Sequence, residues 1–135
     1  MEVNNFEIWK ISDLNNFDID NISLDSVTYD SNLQISLSSS SNYNIYFTFN
    51  RFVSYRINEE SYLLEYWHKL DASKLNGYTF YKIKNSTYFN DLAFLSNNFC
   101  TDGGPEMINH FAIFTVNECI EIITDMEPFI EIIEL

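Results

Sequence analysis

Positive charge is the scarcest commodity in this chain. Seven of its 135 residues are lysine or arginine, against twenty aspartates and glutamates, and none follows Lys84. The resulting net charge of −13 excludes nucleic acid and anionic membrane as partners, because both are bound through cationic contacts. Three glycines and two prolines are too few for a loop-dominated scaffold. The two cysteines, Cys100 and Cys119, have neither metal-ligand nor redox spacing and are expected to be reduced and packed. The opening MEVNNFEIWKI lacks the basic start and apolar core of a targeting segment. No run approaches the roughly 20 apolar residues that span a bilayer. A soluble, cytoplasmic protein is the expectation.

Chemistry-bearing motifs are equally sparse. His68 and His110 are the only histidines. Neither has a second histidine or a cysteine at metal-binding spacing, and His110, at a strand start, reads as a structural hydrogen-bonder. Cys100 and His110 could meet as a thiol and base, but nothing in the sequence orients such a pair. Asp102-Gly103-Gly104-Pro105 lacks the lysine and the strand–helix context of a phosphate loop and reads as a turn. No cofactor or metal and no enzymatic activity is expected.

What the chain has is aromatic and β-branched residues. Hydrophobic content is 46% and aromatic content 17%, which favours a sheet-built core. The length suits a single domain, 1–135. A first strand fits 6–11, and 12–22 is a loop or short irregular helix. In 32–38, Leu33, Ile35 and Leu37 alternate with polar residues, as in a half-buried strand. The same alternation runs from Tyr43 to Ile57 with a break at Arg51, which predicts a bend near Asn50-Arg51 that divides one long strand in two. Residues 61–70 carry Tyr62, Leu63, Tyr66, Trp67 and Leu70, which fit one helical face but also suit a strand; the Tyr and Trp content tips the expectation towards strand. A strand fits 78–84. Ser86 is a good N-cap for a helix over 86–96, with Tyr88, Phe89, Leu92 and Leu95 as its apolar face. Residues 99–108 hold two of the three glycines and predict a mobile loop. Three apolar runs follow between His110 and Leu135, and predict three closing strands.

The sum is an α+β fold. A strongly twisted, mainly antiparallel sheet, with a half-barrel as one form it can take, carries one packed helix near 86–96. Charge is unevenly spread along it. Residues 51–84 hold six bases against four acids, +2, which leaves −15 for the rest. The last stretch holds Glu118, Glu121, Asp125, Glu127, Glu131 and Glu134 without a base. Such a row on sheet strands deters edge pairing and also offers a negative face to a basic partner. With Tyr66 and Trp67 as aromatic anchors, these acids are the predicted partner-binding residues.

Three pieces, SYRINEE (54–60), FYKIKNSTYFNDL (80–92) and NHFAIFTVNECIEIITDMEP (109–128), resemble in their order a family of small bacterial proteins, some encoded beside polymorphic toxin genes as candidate immunity proteins. The resemblance implies a cytoplasmic α+β protein that acts by binding, with a basic toxin as its partner. It carries no assigned functional residues. Two alternatives stay open from the sequence: a small-molecule-binding half-barrel with aromatics at its mouth, and a homodimer formed through an exposed strand.

Overall fold

The computed structural model describes residues 2–17, 21–75, 77–96 and 108–135. Nine strands and two helices are present among them: β1 (Asn5–Ile8), β2 (Ile22–Asp30), β3 (Asn32–Ser39), β4 (Tyr43–Phe49), β5 (Ser54–Glu59), α1 (Leu64–Ser73), β6 (Phe80–Lys84), α2 (Thr87–Leu95), β7 (Asn109–Phe114), β8 (Glu118–Thr124) and β9 (Phe129–Glu134). The strands form two antiparallel sheets, one ordered β1-β6-β7-β8-β5 and the other β2-β3-β4-β9. The fold is α+β and mainly antiparallel, as expected; its strands divide between two stacked sheets, which do not close into a barrel.

Alternation explains the stacking. Leu33, Ile35, Leu37, Ile45, Phe47 and Phe49 all point from the four-stranded sheet into one buried cluster, where they meet Phe80, Phe111, Ile113, Ile120 and Ile122 from the other sheet. Trp9 seals the centre, stacked on Phe111 with ring centroids 4.2 Å apart. This packed layer fills the space between the sheets, and the half-barrel reading loses its cavity. On β3 and β4 the outer face of the four-stranded sheet is mostly Asn, Gln, Ser and Thr, as an exposed face should be, while β9 adds Glu131 and the exposed Phe129 and Ile133.

The five-stranded sheet is covered on both faces. Its outer face presents Phe6, Tyr81, Ile83, Ala112, Phe114 and Cys119 to Tyr66 and Leu70 of α1. Here the expectation of a strand over 61–70 is corrected. After a 3-10 turn at Glu60–Tyr62, Leu63, Tyr66, Trp67 and Leu70 recur at helical spacing and bury one stripe against that face. Aromatic content misled because these rings pack as helix-to-sheet knobs rather than as cross-strand pairs. The helix ends on Lys74 in left-handed conformation, φ 59°. The second helix starts where Ser86 predicted: its Oγ accepts the Phe89 N–H at 2.9 Å. Thus two helices cover the sheet where one was expected.

The anticipated division near Arg51 also occurs, and it is larger than a bend. The chain leaves one sheet after β4 and enters the other at β5, and Arg51 in the crossing pairs with Asp125 at 2.9 Å. The final three strands do not close one sheet. β7 and β8 pair with each other, whereas β9 crosses over to pair with β4. The predicted loop at 99–108, with Cys100, Gly103 and Gly104, lies outside the described residues save for Ile108. No helix among the described residues is long and apolar enough to cross a membrane.

Candidate functional site

The outer face of β8 carries a glutamate where its neighbours are apolar. Glu121 is fully buried, opposite Arg56 on β5 and Ala112 on β7. A bare carboxylate in such a place would cost several kcal/mol (about 3 or more), so its partners decide whether the fold tolerates it. Arg56 grips it with two bonds, Nε to Oε2 at 2.7 Å and Nη2 to Oε1 at 3.2 Å. The Tyr66 hydroxyl of α1 donates to Oε1 at 2.5 Å, and His110 Nε2 lies 2.8 Å from the same oxygen. Burial alone would raise the Glu121 pKa, but the hydrogen bonds from His110 and Arg56 outweigh it, and the group falls to about 2. Burial likewise opposes the charge on Arg56, yet the bond to Glu121 and its charge hold the guanidinium above its ordinary value. Burial, and then the Glu121 charge, push the Tyr66 hydroxyl and the Cys119 thiol upward.

The network continues into α2. His110 Nδ1 lies 2.6 Å from Ser86 Oγ, the oxygen that also accepts from Phe89 N. One assignment satisfies every group. Phe89 N–H donates to Ser86, the Ser86 hydroxyl donates to Nδ1, and Nε2–H donates to Glu121. The charges of Arg56 and Glu121 offset each other. Beside it, the Arg56 guanidinium lies over the Tyr88 ring, 3.9 Å from the centroid, and the Tyr88 hydroxyl meets that of Ser54. Burial raises the Tyr88 hydroxyl's pKa.

Serine, histidine and glutamate in line are reminiscent of a nucleophilic triad, but this alignment has no nucleophile to deliver. Ser86 is buried, its oxygen is committed to a cap and a histidine, and it does not line the neighbouring cleft. It braces α2 on β7. His110 is thus the structural hydrogen-bonder its position suggested. No group of three metal-ligating side chains occurs among the described residues.

The network reaches solvent at Arg56. Arg56, half-buried, and Tyr66 form the floor of a cleft of about 480 Å³ whose walls are Asn4, Ser61, Tyr62, Leu63, Leu64, Glu65 and Thr87. Tyr62 and Leu64 stand at its rim, 81% and 64% exposed. Ser61 links this rim to the end of the sheet, for its hydroxyl donates to Glu59 at 2.9 Å. Glu59 faces Glu118 across β5 and β8, and the Glu60 N–H holds the Asn117 carbonyl at 2.9 Å.

The predicted binding residues are redistributed by this geometry. Glu121 and Tyr66 are corrected outright as surface groups, since both are buried inside the network. A strand with apolar neighbours on both parities, Cys119 and Ile123 on one and Ile120 and Ile122 on the other, is a strand covered on both faces, and that signal could have placed Glu121 inside. Asp125 pairs with Arg51 and Glu127 with Lys82, at 2.9 and 3.2 Å. Glu131 and Glu134 are exposed on β9, in the other sheet. Glu118 sits at the acidic end beside Glu59. Trp67 is half-buried, packed on Phe114 with its Nε1–H donated to the Glu60 carbonyl. Sequence reasoning missed Glu59, Glu60 and Glu65, because within the relatively basic 51–84 segment their charge was averaged away, and it missed Leu64, which lies off the apolar stripe of α1. Compared with known families, proteins and solved structures, the chain matches none.

Proposed function

We propose that this is a non-enzymatic binding protein, an immunity-type inhibitor that occludes a basic toxin or other basic protein through an acidic, aromatic-containing surface. The surface is the end of the five-stranded sheet and the first turn of α1: Glu59, Glu60, Glu65 and Glu118, with Tyr62, Leu64 and Trp67. The observation that carries this reading is the Glu59–Glu118 pair. Like charges directly across a strand pair are destabilising, yet here each carboxylate is held by a hydroxyl, from Ser61 and from Thr115. None of the four acids has an ion pair among the described residues. By contrast, Glu121, Asp125 and Glu127 each pair with an arginine or lysine. An uncompensated negative field beside exposed apolar side chains favours a cationic partner, and speeds its encounter at low salt.

Any toxin domain encoded beside the gene is the partner to test, by calorimetry at low and high salt. Binding that weakens with salt, and that falls at least about tenfold in the double variant Glu59→Lys/Glu118→Lys, supports the reading. Glu131→Lys/Glu134→Lys, on the other sheet, should leave affinity within about threefold. No binding at low salt, or equal loss from both double variants, would overturn it.

A further inference from the structure

The cleft above Arg56 is more than a neighbour of the acidic end. Arg56 is pinned by Glu121 and Tyr66 through Nε and Nη2 and rests on the Tyr88 ring. Its Nη1 has no hydrogen-bond partner among the described residues, and the side chain is 38% exposed where it lines the cleft. Two N–H donors are therefore held in fixed orientation by a group whose charge Glu121 already balances. A neutral acceptor suits them better than an anion, which would also have to approach past Glu65, Glu59 and Glu60. Around the donors, Tyr62, Leu63 and Leu64 offer apolar wall, and Glu65 offers a carboxylate at the lip. The volume, about 480 Å³, is that of a site for one or two side chains rather than a domain.

We propose that this cleft is the anchor pocket of the binding surface, and that it takes an extended peptide segment of the partner in which an apolar side chain is followed by lysine or arginine. The apolar side chain packs against Leu63 and Leu64. The backbone carbonyl between the two residues accepts from Arg56 Nη1, and the cation pairs with Glu65. The proposal rests on the basic-partner reading and adds to it the chemistry of the contact. It places the specificity in a small pocket fixed by a buried network, as interface hot spots usually are, and leaves the acids at the sheet end to steer.

Amide NMR of the intact protein tests it with two capped hexapeptides, one alternating leucine and lysine, the other alternating leucine and glutamate. The lysine peptide should shift the amides of Leu63 to Tyr66 and Thr87 and the Arg56 Nε–H saturably, at millimolar concentration. The glutamate peptide should bind at least about tenfold more weakly. Leu64→Glu and Glu65→Lys, both at exposed positions, should each weaken the lysine peptide several-fold while the remaining spectrum is unchanged. If the lysine peptide moves only resonances outside the cleft, or is indifferent to both substitutions, the pocket is refuted while charge-driven partner binding stands. Equal response to the two peptides refutes the pocket's preference for a cation. Loss of toxin binding in the double reversal of Glu59 and Glu118, with the peptide response intact, separates the two ideas in the other direction.

Discussion

Replacing Glu121 by glutamine is the sharpest probe of the buried network. Glutamine keeps an oxygen for Tyr66 and His110, but it turns an amide N–H₂ towards Arg56, donor against donor, and removes the only counterion that the described residues give a half-buried guanidinium. The size of the effect follows from the carboxyl's titration. Glu121 is lowered from an ordinary 4.5 to about 2. At about 1.4 kcal/mol for each tenfold change in proton affinity, its charged form contributes about 3 kcal/mol to folding, within the range seen when one partner of a buried pair is removed. The sign is that of a depressed carboxyl. Stabilisation is complete above the unfolded value and is lost as pH falls from about 4.5 towards 2. Glu121→Gln imitates the neutral carboxyl, so the gap between wild type and variant should be about 3 kcal/mol near neutrality and should close on acidification through that window. Urea denaturation followed by the fluorescence of Trp9 and Trp67, at a series of pH values, measures it. A gap below about 1 kcal/mol near neutrality, or a gap that stays constant on acidification, would refute the assignment of Glu121 as a charged, paired group.

Two further outcomes bear on the helices. Ser86→Ala removes both the cap of α2 and the donor to His110, and should cost about 1–2 kcal/mol with faster amide exchange at Phe89; unchanged exchange there would deny Ser86 its double role. Lys74→Gly relieves a left-handed backbone at the end of α1 and should stabilise by about 0.5–1 kcal/mol, read as a raised urea midpoint at constant slope.

Much of the architecture was legible because period-two alternation needs no tertiary knowledge. Leu33, Ile35 and Leu37, and then Tyr43 to Phe49, name their buried face directly, and Ser86 names a helix start. What alternation does not carry is which sheet a strand joins. FIEIIEL reads like a third strand beside CIEIITD, yet it lies against β4, because Ile130 and Ile132 complete the inner face of the smaller sheet. The site was less legible. Its members come from β5, α1, α2, β7 and β8, so no local spacing announces it. Counting charge along the chain placed Glu121, Asp125 and Glu127 on a common negative face, whereas folding brings each of them a cation from the middle of the sequence. Of the acids at the proposed surface, Glu59, Glu60 and Glu65 lie in the segment whose sum is positive, and folding brings Glu118 beside them.

The crossing of β9 to β4 has a kinetic side. Tyr43 is partnered by Glu134 and Asn5 by Lys84, so both sheets are closed by residues far apart in the chain. During synthesis, β2, β3 and β4 emerge with Ile35, Leu37, Ile45 and Phe47 facing nothing, and their cover is made only when the second half has followed. Closure of such long loops places folding on the slow, millisecond-to-second side of the range for small proteins. Until then the nascent hairpins present an apolar face and an open edge at β4, the kind of surface that chaperones bind and that associates between chains when expression outpaces folding.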